Sequence, residues 1–266
     1  MLLIKQETKM ESESSFYLIC PSNASMNLYS DNTPGAFRIN LPKRIKLRGR
    51  YEVGLAEISY PVTFETFDKV SSYRLKTIHN GRPGSSVLTK TLYLNVEELL
   101  EEIIDKIAAS QGWHSVSHVI SRCFTYKKLQ NRVTHNLIGG LSVRLSQEVS
   151  DLLGYKDSNW ISSTGCATYP PDIRNGMHQL FVYSNIVEPQ LVGDVYAPLL
   201  RTVAIAANIT RGAQRETVAF DSPHYVSVIT DEISTIEINI KRDSGENVSF
   251  LTGKSVCTLH FRRKTL

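Results

Sequence analysis

Thr235-Ile236-Glu237-Ile238-Asn239-Ile240 alternates polar and aliphatic side chains without a break, and Asp243-Ser244-Gly245 supplies a turn just after it. Successive side chains of a strand point to opposite faces, so Ile236, Ile238 and Ile240 fill one side of a sheet while Thr235, Glu237 and Asn239 meet water or a partner. The same period of two recurs outward from this stretch in both directions. Towards the C-terminus Cys257, Leu259 and Phe261 alternate with Thr258, His260 and Arg262. Towards the N-terminus Phe37, Ile39 and Leu41 alternate with Arg38 and Asn40, and Ile45 and Leu47 alternate with Arg44, Lys46 and Arg48. Leu180 to Tyr183 and Gln190 to Tyr196 read as extended. Tyr51 to Tyr60 is nearly continuous and mostly apolar, as suits a strand covered on both faces. Short strands punctuated by turn residues make this a mostly β protein.

One segment breaks the pattern. Val96, Leu99, Leu100, Ile103, Ile104 and Ile107 form a helical stripe, with Asn95 placed to cap it, Glu98 at the capping-box position, and Glu97, Glu101 and Glu102 in its first half. A shorter helix is predicted from Gln147 to Leu153, capped by Ser146 and stopped by Gly154. Between the two, Phe124 to Leu129, Arg132 to Leu137 and Gly140 to Leu145 read as a small meander. The expected organisation is a polar N-terminal arm over residues 1–15 and one β domain over residues 16–266, carrying an α+β insert at about 95–155.

Composition narrows the class. With 266 residues, 41% hydrophobic and 21% charged, the chain is neither disordered nor fibrous, and it is long enough to bury a core without disulfides or metals. The longest aliphatic run, Val203 to Ala207, is five residues, far short of a membrane-spanning helix. The apolar stretch at the start, Leu2-Leu3-Ile4, is too short for a secretory signal, so a soluble, unexported chain is expected. Four cysteines at positions 20, 123, 166 and 257 form no CxxC pair, and free thiols are expected.

Chemistry-bearing motifs are sparse. None of the seven histidines stands in the His-x-His or His-x-Asp/Glu spacing that lets one strand grip a metal. His114 and His118 have an i, i+4 spacing, but the glutamate of a zinc-protease helix is missing and Ser115-Val116-Ser117 is a poor helix former. There is no G-x-S-x-G elbow and no phosphate-binding glycine loop. The sequence points away from an enzyme and implies no cofactor and no metal.

The net charge of +4 demands no nucleic-acid partner by itself, yet Lys43, Arg44, Lys46, Arg48 and Arg50 put five cations in eight residues. On a strand Arg44, Lys46, Arg48 and Arg50 would share one face, a candidate stripe for weak, non-specific contact with DNA, to which Arg262-Arg263-Lys264 adds. Among the aromatic residues, Tyr29, Tyr60, Phe64, Phe67, Tyr169, Tyr196 and Tyr225 stand at strand edges or in loops, where rings anchor cores or interfaces.

Several multi-residue blocks, in order from about residue 15 to 263, carry a family resemblance. They are Phe16-Tyr17-Leu18, Pro21-Ser22-Asn23-Ala24-Ser25-Met26, Leu41-Pro42, Glu52-Val53-Gly54-Leu55-Ala56-Glu57-Ile58-Ser59-Tyr60-Pro61, Val187-Glu188-Pro189-Gln190-Leu191-Val192-Gly193-Asp194-Val195-Tyr196-Ala197-Pro198-Leu199-Leu200-Arg201, His224-Tyr225-Val226, Ile236 to Ile240 and Leu259-His260-Phe261-Arg262. Together they resemble the penton (minor capsid) proteins of Polinton/Maverick elements and adintovirus-like viruses. Tyr51 and Phe64 stand where that family often has Trp, a change that keeps the ring.

The resemblance implies a single jelly-roll β-sandwich of two antiparallel sheets. It also implies a homopentamer at the vertices of an icosahedral virion, beside a double-jelly-roll major capsid protein. Glu52, Gly54, Glu57, Tyr60, Pro61, Gly193, Asp194, Tyr196, Pro198 and Arg201 are then the structural and interface candidates. The alternative expectation is a carbohydrate- or receptor-binding β-sandwich, with the 95–155 insert and Trp113 as its recognition head.

Overall fold

A computed structural model describes residues 14–66, 73–113, 120–206 and 215–264. Most of the expected N-terminal arm, Phe67, and the His114/His118 pair lie outside these described residues. The chain divides into two compact units. The first comprises Met1–Thr63, His178–Ile209 and Ala213–Leu266; the second comprises Phe64–Met177 and Thr210–Gly212.

The elements follow in chain order. The first unit opens with β1 (Ser15–Pro21), β2 (Ala36–Lys46) and β3 (Tyr51–Pro61). The second holds β4 (Arg74–His79), β5 (Arg82–Val87), α1 (Val96–Ser110), β6 (Phe124–Lys127), β7 (Arg132–Asn136), β8 (Leu141–Leu145), α2 (Gln147–Leu153), β9 (Trp160–Ile161) and β10 (Thr164–Cys166). The first unit resumes with β11 (Gln179–Ser184), β12 (Gln190–Val192), β13 (Val195–Ala197), β14 (Leu199–Ala204), β15 (Arg215–Ala219), β16 (Val226–Ser227), β17 (Glu232–Lys241) and β18 (Val256–Arg263).

In the first unit one sheet runs β1-β18-β3-β15, with β16 also paired to β3, and a second runs β14-β11-β17-β2. All of these pairings are antiparallel. The alternation read from the sequence sets the register: Ile236, Ile238 and Ile240 on β17 and Cys257, Leu259 and Phe261 on β18 are buried, as are Phe37, Ile39, Val53, Leu55 and Ile58. Removing each such side chain from water stabilises the fold by about 1.5–3 kcal/mol. β3 of the first sheet lies against β14 of the second, so the buried rows form one apolar layer. β3 is also buried along much of both faces, as its continuous apolar run requires.

Two unlike flanks result. β1 and β2 are edge strands joined through the 22–35 connection, where Ser25 Oγ accepts from Asn40 N and Asn32 Nδ2 donates to Ala24 O and Arg38 O. β14 and β15 are the opposite edges, tied by Arg201 on β14 to the segment that follows β15.

Three expectations are corrected here. β2 ends at Lys46 rather than running on to Arg50, because Leu47 N turns to Asp231 O and Gly49 adopts a φ of 97° to reverse the chain. The basic stripe is therefore not one strand face: Arg44 and Lys46 are on β2, and Arg48 and Arg50 are in the turn. The stretch Gln190 to Tyr196 is a hairpin, β12–β13, with Val192 facing Val195 across Gly193-Asp194 and a φ of 63° at Gly193, the position that type II′ turns give to glycine. The meander is split: β6 and β7 pair with each other and β10 joins β7, while β8 pairs with β4 and β9 in a separate sheet, β5-β4-β8-β9.

The second unit is larger than the 95–155 segment and surrounds its own core, in which Leu99, Ile103 and Ile107 of α1 meet Leu75, Val143 and Leu152. Asn95 caps α1 by accepting from Glu98 N at 2.9 Å, and Glu98 accepts from Leu94 N at 2.8 Å. At α2 the helix stops in a left-handed Gly154, but the Ser146 side chain makes no cap hydrogen bond, contrary to its predicted role. Buried within the unit, Glu102 accepts from Thr89 N, Thr89 Oγ1 and the Tyr93 hydroxyl. Burial pushes its pKa up, but these hydrogen bonds outweigh it and leave the carboxyl below the usual range.

Candidate assembly interface

The segment 220–225, between β15 and β16, gathers residues from four of the sequence blocks. Phe220 N bonds to Ala56 O on β3 at 2.8 Å, which starts the segment across the outer face of the first sheet. It can lie that close because β3 carries glycine at position 54: a Cβ there would stand 2.8 Å from His224 O and 2.8 Å from Pro223 Cβ. A glycine inside an otherwise apolar strand is the sequence sign of such an approach.

Tyr225 then enters a ladder of rings and charges. Its hydroxyl is 2.7 Å from His260 Nδ1, and the guanidinium of Arg262 lies 3.5 Å above its ring centroid. Arg262 Nε donates to Glu52 Oε1 at 2.5 Å, the strand register placing the two residues directly opposite each other. On the far side of His260, Tyr17 of β1 stacks at 4.4 Å and remains 65% exposed. Burial and then the nearby Arg262 charge lower the His260 pKa, which favours the neutral ring at pH 7, and the phenol and Nδ1 share one hydrogen bond.

The other end of the segment is held by Arg201 of β14. Its guanidinium lies 3.7 Å from the Phe220 ring centroid, and Nη1 donates to Ser222 O at 3.2 Å. Burial lowers the pKa of Arg201, which stays cationic at neutral pH. Glu52, Gly54 and Arg201 thus converge on one segment and fix it within the subunit.

The remaining candidates are dispersed. Glu57 sits half-buried on β3 opposite Thr258 and Ala219. Tyr60 is fully buried, and Pro61 closes β3 beneath Gly253. Gly193, Asp194, Tyr196 and Pro198 belong to the β12–β13 hairpin and its exit, where Pro198 O accepts from Ser184 N. On that hairpin Leu191 faces Tyr196, and they are 66% and 78% exposed. Trp113 is half-buried, edge-on to His79 at 5.2 Å, rather than projecting. Arg44 is paired with Glu232 at 2.8 Å.

Sequence reasoning missed Tyr17, Phe220 and Arg262 as partners in the ladder. Their blocks were visible, but only the register of β18 between β1 and β3 brings them together. Among the described residues no group of three or more His, Cys, Asp or Glu side chains converges as a metal site would.

No family model matches the sequence, and no curated protein matches it. Among solved structures the chain is similar to the mavirus penton protein, with a TM-score of 0.56, 10% identity, and 94% of this chain and 99% of that one covered. It is also similar to a chain in the structure of the Sputnik virophage, with a TM-score of 0.52, 10% identity, and 95% and 99% covered. The chain therefore has the fold of the mavirus penton protein along nearly its whole length.

Proposed function

We propose that this chain is a structural viral capsid protein, a penton (minor capsid) protein of the Polinton/Maverick and adintovirus-like kind. It forms homopentamers at the five-fold vertices of an icosahedral virion, beside a double-jelly-roll major capsid protein. The observation that carries the reading is coverage: likeness to a penton protein extends over 94% of this chain and 99% of the other, leaving no large part of either unaccounted for.

The strand orders support a single jelly roll. The orders β1-β18-β3-β15, to which β16 adds a short pairing with β3, and β2-β17-β11-β14 match those that paired Greek keys produce, and the second unit is inserted in the chain between β3 and β11. A ring of identical subunits needs a heterologous contact between unlike flanks, and the β1/β2 and β14/β15 edges are unlike. The β12–β13 hairpin leads directly into β14 and carries the exposed Leu191 and Tyr196, which supports a role for Gly193, Asp194, Tyr196 and Pro198 at the flank that would meet a neighbour. Glu52, Gly54 and Arg201 shape the subunit from within.

Mass measurement of the purified full chain across a concentration series tests the reading. A species at five times 29.9 kDa supports the ring. A strict monomer at high concentration, together with virus particles that keep normal vertices when the gene is deleted, rejects it.

A further inference from the structure

The basic residues of the β2–β3 turn do not stand alone. Lys264 N donates to Arg50 O at 2.8 Å, and the Arg263 guanidinium lies 3.2 Å from where a Gly49 Cβ would be, so the end of β18 is laid along the turn. A cleft of about 710 Å3 opens beside them, lined by Arg50, Lys264, Asp231 and Glu188 among others. Lys43, Arg44, Lys46, Arg48, Arg50, Arg263 and Lys264 are all exposed here, against the carboxylates of Glu188, Asp231 and Glu232. That excess of four positive charges equals the net charge of the whole chain, +4. The remaining residues of the chain therefore sum to zero net charge.

We propose that this end binds the phosphate backbone of double-stranded nucleic acid without reading its sequence. Complementary charge supplies the attraction, and four of the seven cations are arginines, whose planar forks match phosphate oxygens. Arg44 and Lys46, alternate residues of β2, advance by about 6.7 Å along the strand. This is close to twice the rise of about 3.4 Å per phosphate of one strand, measured along the duplex axis. Tyr51 is the single aromatic residue among those that line the cleft, half-buried beside Phe16 with ring centroids 6.4 Å apart, so the cleft has no run of rings on which successive unpaired bases could stack. Contacts to phosphate alone select a duplex by its charge and not by its bases.

Fluorescence anisotropy of the full chain with two labelled duplexes of unrelated sequence tests the proposal. Both bind equally at about 50 mM salt, and affinity falls roughly 100-fold by about 200 mM, as release of about four counterions requires. The triple variant Lys46→Gln, Arg50→Gln, Lys264→Gln loses roughly 10-fold or more at the lower salt, and its salt slope falls by about three. Lys76→Gln, Arg82→Gln, Lys127→Gln, with the same change in net charge in the second unit, keeps most of the binding. Arg50→Lys keeps the charge but not the fork and loses only a small part of the affinity.

No binding at about 50 mM salt, where such contacts are strong, overturns the proposal, as does equal loss in both triple variants. A heparin fragment that displaces duplex at far below charge equivalence assigns the surface to sulfated polysaccharide instead. Loss in Arg50→Lys as large as in the triple variant traces the effect to folding and also overturns it. Self-association is read separately by mass, so failure here leaves the capsid reading standing, and the reverse holds.

Discussion

Tyr225 lies directly over Gly54: a Cβ added to the glycine would stand 3.3 Å from Tyr225 Cδ1 and 2.8 Å from the His224 carbonyl oxygen. The second contact is with backbone, which cannot swing aside as a side-chain tip can. Gly54→Ala therefore has to displace the 220–225 segment, at a cost of about 1–3 kcal/mol. The expected result is a lower unfolding midpoint and faster amide exchange over residues 220–225. Unchanged exchange there would show that the segment does not depend on the glycine.

Arg262 is held by the Glu52 carboxylate on one side and the Tyr225 ring on the other. Its side chain is 47% exposed and that of Glu52 only 15%, so solvent weakens the ion pair without cancelling it. A double-mutant cycle of Arg262→Ala with Glu52→Ala is expected to give a coupling of about 0.5–1 kcal/mol. The cycle with Tyr225→Ala is expected to give a similar value from the cation–π contact, about 0.5–2 kcal/mol. Zero coupling in both would dissolve the ladder as an energetic unit.

His260 makes stability depend on pH. Its folded-state pKa is below the usual histidine value, first through burial and then through Arg262. Between the folded and unfolded values the unfolded chain binds more protons, so stability rises with pH and falls on acidification from about pH 7 through the unfolded pKa of about 6.5. His135 shifts the same way through burial, so both histidines contribute. Chemical denaturation at a series of pH values should show the slope, and His260→Gln should reduce it without abolishing it. A slope unaltered in His260→Gln would place the effect elsewhere.

The β framework was legible because burial alternates with period two: Ile236 to Ile240 and Cys257 to Phe261 form buried rows as their alternation requires. The helix at Val96–Ser110 was equally legible, down to the Asn95 cap. What failed depends on partners distant in sequence. Alternation of Arg44, Lys46, Arg48 and Arg50 looks like a longer strand, but Asp231 takes the next backbone bond and Gly49 turns the chain. The pattern of β8 gives its faces but not its neighbours, and β4, more than sixty residues before it, is the strand it joins. At the candidate interface, Gly54 was singled out only through the family resemblance, whereas the Tyr17–His260–Tyr225 ring ladder exists only once β18 is placed between β1 and β3.

Glu102 sets a second acid limit, in the second unit. Its lowered pKa means that its contribution is present above the usual carboxylate range and is lost as pH falls through the folded value. Glu102→Ala leaves the Tyr93 hydroxyl and Thr89 N without their buried acceptor, at a cost of about 2–3 kcal/mol. Glu102→Gln keeps one acceptor oxygen and is expected to cost less while removing the acid-dependent part. Equal costs for both variants at pH 7 and pH 4 would argue against an ionised carboxylate.

Cys20 and Cys257 face each other across β1 and β18, both fully buried, and Cys123 is buried in the second unit, whereas Cys166 is exposed. Burial pushes the Cys20 thiol up to about 12 and raises Cys257 as well, so neither forms a thiolate at neutral pH. A thiol reagent should titrate one cysteine in the native protein, abolished by Cys166→Ser, and all four after unfolding. Rapid native reaction at Cys20 or Cys257 would mean that β1 detaches readily from the sheet.

Leu191 and Tyr196 face each other on a two-stranded hairpin and are largely open to water in the single subunit. Such a pair adds little to the stability of the subunit, so replacing it should change the unfolding midpoint of the monomer by less than about 0.5 kcal/mol equivalent. In the proposed ring the same pair would be covered by the neighbouring flank, and two charges buried there without partners would cost several kcal/mol per contact. Leu191→Glu with Tyr196→Glu is therefore expected to shift the mass distribution from the five-subunit species to the monomer, with the far-ultraviolet spectrum unaltered. Retention of the large species in this variant would remove the hairpin from the subunit contact and leave the β1/β2 and β14/β15 edges to carry it alone.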